Sequence, residues 1–189
     1  GMRCLAGGAP YAPQMRPLAH GADGSVRWAL LDFTAPDSQG GSMQVEYGGI
    51  VQPAPETPLQ VLDGSAGVTV TTGPIRVEFP RTAVILPGIV EVRRSDGTYR
   101  RLTPKVARTA AVTLTGPGGR TYRSGRPESV SVEEAGSQRI CIRVLVAHCD
   151  RGGRSLFRSV FRIHLFRGRP DIRVLHTFEN DADSEFTEL

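Results

Sequence analysis

The chain is almost without lysine: of its 23 Lys and Arg residues, only Lys105 is a lysine. It has one tryptophan, three cysteines and no apolar run near the roughly 18–20 residues of a membrane-crossing helix. Residues 1–8 lack the long apolar core of a secretory signal, and localisation is left unassigned. No Cys-x-x-Cys spacing occurs, which removes the common thiolate metal and redox motifs. Cys141 and Cys149 fall on one predicted strand. Extended, they stand about 27 Å apart, too far to bridge. Cys4 is expected in a mobile terminus, and all three thiols are expected to be free and mostly buried. Helical periodicity with caps is also missing, which argues against a helical protein. The arginines are spread along strand-like segments rather than gathered in a basic run, so nucleic acid is not an expected partner.

What remains is a β pattern. With 189 residues, 39% hydrophobic and 22% charged, the chain is globular and long enough for one large all-β domain or two small ones. Its glycines and prolines fall between apolar runs, as turn punctuation. Residues 12–18 and 25–33 read as a hairpin closed by Asp23-Gly24, both of which tolerate positive φ. A strand at 43–47 follows. Pro53, Pro55 and Pro58 then suit an extended linker, which places a domain boundary there. Strands are expected at 59–62, 67–72, 75–79, 84–93 (interrupted at Pro87-Gly88), 105–115, 128–134, 138–149, 154–167 and 171–179. Many short strands with regular turn signals predict an all-β fold. The expected organisation is a small, partial barrel-like N-terminal domain at 1–52 and a β-sandwich-like domain at 58–189. Phe186 to Leu189 starts a new alternating segment, which reads as a chain cut within its domain or one ending on a short edge strand.

The last three predicted strands are the best defined. Ile140, Ile142, Val144 and Val146 share one face. Phe157, Phe161, Ile163 and Leu165 share the next, and Ile172, Val174, His176 and Phe178 the third. The opposite face carries Cys141, Arg143, Leu145, Arg158, Arg162, His164 and Arg173. Guanidinium groups there match carboxylates bidentately; a solvated sheet face or an interface to another domain explains them as well.

Other constellations read more plainly. His176 lies on the apolar face and His164 on the other, so with His148 they form no shared metal or acid/base site. Asn180-Asp181-Ala182-Asp183-Ser184-Glu185 lacks the central glycine and distant glutamate of a calcium loop and reads as an acidic turn. Gly116-Pro117-Gly118-Gly119 lacks a following Lys-Ser/Thr and reads as a turn. Trp28 fits a sugar-stacking platform or a core position, and the core is favoured because its strand is the most apolar. No cofactor, metal or catalytic residue is assigned.

Residues 13–33, from Pro13-Gln14 through Arg16-Pro17-Leu18-Ala19 and Asp23-Gly24-Ser25-Val26-Arg27-Trp28 to Leu30-Leu31-Asp32-Phe33, carry a family resemblance. It recurs at Val70-Thr71-Thr72-Gly73-Pro74-Ile75, at Glu133 to Arg139, and from Phe161 to Phe178. These blocks resemble the N-terminal region of exo-rhamnogalacturonan lyase-like proteins, large polysaccharide lyases with β-rich N-terminal domains and a separate helical catalytic domain. The resemblance implies that this chain is non-catalytic by itself, an accessory or structural β region packing on a downstream catalytic domain. The alternative it implies is a carbohydrate-binding module for galacturonate-containing polysaccharide, using Arg143, Arg158, Arg162, His164 and Arg173. Neither nucleic acid nor membrane is an expected partner.

Overall fold

Alternating apolar residues, cut every few positions by glycine or proline, leave little choice but short antiparallel strands. The computed structural model describes residues 2–6, 9–11, 13–33, 43–52, 59–103 and 111–180, and among them there is no α-helix. The all-β expectation therefore holds. The chain divides into two units: Gly1–Leu59 with Gly136–Arg139, and Gln60–Ala135 with Ile140–Leu189. Pro53, Pro55 and Pro58 lie outside the described residues.

The first unit holds two small sheets, its partial barrel-like part. One has the order β2 (Ala9–Tyr11), β1 (Met2–Ala6), β5 (Met43–Tyr47). Cys4, expected to be mobile, is fully buried on the central strand β1, between Tyr11 and Val45, and burial pushes its thiol pKa up. The second sheet is the hairpin β3 (Gln14–His20) and β4 (Val26–Asp32). Its turn differs from expectation in detail: only Gly24 takes positive φ (81°), while the Asp23 carboxylate accepts from the amide and hydroxyl of Ser25. Trp28, expected in the core, is 71% exposed. A two-stranded ribbon has too little width to bury a face unless another layer covers it. Within the same unit the buried Gln14 side chain accepts from the amides of Gln138 (3.1 Å) and Arg139 (2.7 Å). Arg139 in turn pairs with Asp32 at 2.9 Å.

The second unit is the sandwich. Its first sheet is an antiparallel meander of β6 (Gln60–Asp63), β7 (Gly67–Thr71), β8 (Ile75–Pro80), β9 (Ile89–Arg93) and β10 (Tyr99–Arg101). The expected strand over 84–93 starts only at Ile89, because Gly88 holds φ 126°, a conformation outside the β region. The expected strand 105–115 is described only from Thr113. The second sheet runs β11 (Thr113–Thr115), β12 (Thr121–Ser124), β14 (Arg139–Cys149), β15 (Ser155–Phe166), β16 (Ile172–Glu179), with β13 (Ser129–Ala135) on β14. β12 and β13 share one edge of the long β14, the first beside His148 and Cys149, the second beside Ile140 to Leu145.

The core takes one face of each sheet: Val68, Val70, Ile75, Val77 and Phe79 from the first, and Ile140, Ile142, Val144, Val146, Phe161, Ile163 and Leu165 from the second, all buried. Hydrogen bonds tie the sheet ends: Gly168 N donates to Thr72 O at 2.8 Å, and Thr72 Oγ1 to Arg169 O at 3.0 Å. The Arg81 guanidinium binds Asp63, the Gly64 carbonyl and the Val130 carbonyl.

Candidate functional site

In a strand, alternate side chains leave opposite faces, so β13 to β16 present an outer face away from the core. Arg143 stands on β14, Arg158, Arg162 and His164 on β15, and Arg173 on β16. His164 and Arg173 are cross-strand partners. Two glutamates join them that the sequence reading did not place there. The β13–β14 register shifts between Val132 and Glu134, leaving Glu133 as the extra residue of a β-bulge, a device that re-aims a side chain. Arg162 Nε donates to both Glu133 carboxylate oxygens, at 3.0 and 2.7 Å, and the Cys141 thiol donates to the same carboxylate at 3.4 Å. His164 Nε2 stands 3.9 Å from that sulfur. Hydrogen bonds from Arg162 hold the Glu133 carboxyl below the usual carboxylate range, with Cys141 and the charge of Arg143 adding to the effect. Arg158 meets Glu128 at 3.4 Å. The centre of this face is thus a mixed-charge lattice, with Arg162 committed to a carboxylate of the same chain. Arg173 has no carboxylate partner among the described residues. Glu133-Glu134 within a predicted strand was the available signal; the bulge that selects Glu133 was not.

The inner face holds a second polar group. Ser159 Oγ lies 2.9 Å from His148 Nε2 and 2.7 Å from His176 Nε2. A hydroxyl has one proton, so it donates to one imidazole and accepts from the other. His148 and Ser159 are fully buried; His176 stacks on Phe161 at 4.4 Å and tilts against Phe178 at 4.2 Å. The sequence reading placed only His176 on this face; the convergence of His148 and Ser159 with it comes from the register of β15 and β16. Ser159 itself is fully buried, and its hydroxyl ties β14 to β16 across β15.

Burial lowers the His176 pKa from its ordinary 6.5. The unfolded chain therefore takes a proton there before the folded one does. The resulting stability is present above about pH 6.5, the unfolded value, and is lost as pH falls through the lowered folded value. The thermal midpoint should drop as pH is lowered below that value, and His176→Phe should flatten this part of the profile. An unchanged profile in the variant would exclude His176 as the responsible group.

The acidic run that follows Asn180 lies outside the described residues, and Gly116 to Gly119 form a tight turn, as expected. Residues 59–188 match the family model of the PcRGLX-like protein central beta sandwich domain. No curated protein matches the chain.

Proposed function

Because the chain belongs to the PcRGLX-like family, with residues 59–188 its central β-sandwich domain, we propose that it is a non-catalytic accessory domain of a polysaccharide-lyase-like protein, packed against a catalytic domain of that protein. The resemblance to exo-rhamnogalacturonan lyase-like proteins agrees with this family. Its later blocks fall inside the matched range, and its 13–33 block lies before it.

The observation that carries the reading is β16. It ends the order of the second sheet, and by register Ile172, Val174 and Phe178 continue the core face of β15. The sequence reading put that face in the core; instead Val174 and Phe178 are exposed. An open edge with apolar side chains is a surface that proteins normally cover.

Eliminative cleavage of a uronate requires a base and a group neutralising the carboxylate in one cleft, and the proposal assigns both to the catalytic domain. Incubated with rhamnogalacturonan, the chain should release no ultraviolet-absorbing unsaturated product; release of that product would overturn the proposal. The β16 amides that point away from β15 should exchange rapidly in this chain and slowly in a longer protein that includes the catalytic domain.

A second reading, acidic-glycan binding by the outer face, is favoured by Arg173, whose guanidinium meets no carboxylate among the described residues. It predicts that Arg162→Ala or Arg173→Ala weakens binding of oligogalacturonide in a salt-dependent way.

A further inference from the structure

Positive charge is left unneutralised at the far end of β12 and β14, away from the central arginines of the outer face. A cleft of about 480 Å³ opens there, lined by Arg120, Thr121, Arg123, Cys149, Asp150 and Arg151. That volume is within the range of small-ligand sites, about 300–1,000 Å³.

Two turns and a strand build it. The turn before Arg120 is closed by Gly116 N to Arg120 O (2.8 Å) and Gly119 N to Gly116 O (3.2 Å). The turn after β14 is closed by Asp150 N to Arg154 O (2.9 Å) and Gly153 N to Asp150 O (3.1 Å). Between them, Arg123 on β12 pairs in register with Cys149 on β14. The one carboxylate in the lining is already engaged: Asp150 Oδ1 accepts from the amides of Gly152 (2.8 Å) and Arg154 (2.9 Å). Its other oxygen lies 3.7 Å from Arg120 Nε, beyond a good hydrogen bond. Arg123 and Arg151 have no ion-pair partner among the described residues. Three guanidiniums therefore face one committed carboxylate across turns whose backbone is hydrogen-bonded in place.

We propose that this cleft binds an oxyanion, a carboxylate or phosphate, carried on a polar ligand of about one or two sugar rings, with Arg123 and Arg151 as its principal contacts and Arg120 completing the charge. Planar guanidinium forks pair with either oxyanion bidentately. The proposal does not depend on the docking of β16, and it differs from the outer-face reading in the arginines it uses.

Cys149 supplies a direct reporter, because it lines the cleft while Cys4 and Cys141 are buried. A galacturonate trimer and inorganic phosphate are titrated separately, by calorimetry and by the rate of Cys149 alkylation with iodoacetamide. At ten times its dissociation constant, the bound probe should slow alkylation by roughly tenfold. Arg123→Ala should weaken binding by about tenfold or more, and Arg151→Ala, on the exposed turn, should do the same with an unchanged melting temperature. Saturable binding of the trimer alone assigns a carboxylate sugar, and of phosphate as well, a general oxyanion site. Absence of heat and of alkylation protection with both probes overturns the proposal. Binding that survives Arg123→Ala and Arg151→Ala but falls with Arg162→Ala also overturns it, and supports the outer-face reading instead.

Discussion

Phe161→Ala should destabilise the sandwich by about 3–5 kcal/mol, the usual cost of emptying a buried aromatic site. Phe161 is 1% exposed and is the largest fully buried side chain among the described residues. It stands between Val160 and Arg162 on β15, with its ring on the core side and stacked on the His176 imidazole. Alanine removes that packing and uncovers one face of His176, so the imidazole pKa should rise toward its ordinary value. The measurement is urea unfolding followed by far-ultraviolet circular dichroism. Trp28 fluorescence is the wrong probe, because Trp28 belongs to the first unit and is exposed already. Phe161→Leu keeps most of the volume and should cost less than half as much. A loss below about 1 kcal/mol for the alanine variant would mean that the β15 face is not the core.

Gly88→Ala should cost about 2–5 kcal/mol, from backbone strain and overpacking together. At φ 126° an L side chain is strained whatever space it finds, and here it finds none. A Cβ would stand 2.5 Å from Val77 Cγ1 and 3.1 Å from Phe79 Cε1, both in the core, and 3.2 Å from the Glu78 carbonyl oxygen. The carbonyl of Gly88 also accepts from Thr103 Oγ1 at 3.3 Å, and that same hydroxyl oxygen accepts from the Val90 amide at 2.7 Å, so displacement would disturb the start of β9. Gly97→Ala serves as the comparison. It too has positive φ (83°), but its nearest neighbour is a flexible arginine tip at 3.9 Å, so it should show the strain without the clash. Equal losses at the two positions would remove the packing part of the explanation.

The sandwich strands were legible because period-2 alternation is a local property. Ile140 to Val146 on β14 and Ile163 and Leu165 on β15 are buried as their parity requires. The hairpin at Asp23-Gly24 and the turn at Gly116 to Gly119 were legible for a similar reason, since glycine supplies the positive φ that a turn demands. The arginine face was legible only as a face. Parity put Arg143, Arg158, Arg162, His164 and Arg173 on one side, but the neutralising carboxylate of Glu133 arrives through a bulge, and a bulge leaves no mark in alternation.

Apolar periodicity by itself determined that this protein is all-β, which residues of β14 and β15 face inward, and where most chain reversals fall. Tertiary structure alone decided whether an inward-looking face finds a second layer. Phe161 finds one, while Phe178, on the same face one strand further out, does not; Trp28, in the most apolar strand, lies open on a two-stranded ribbon. It also decided where charge remains unspent, because Arg120, Arg123 and Arg151 meet only when β12 pairs with the end of β14. The reason is common to all three cases. Side-chain direction is set by the backbone within a few residues, whereas burial and charge balance depend on what distant segments place opposite it.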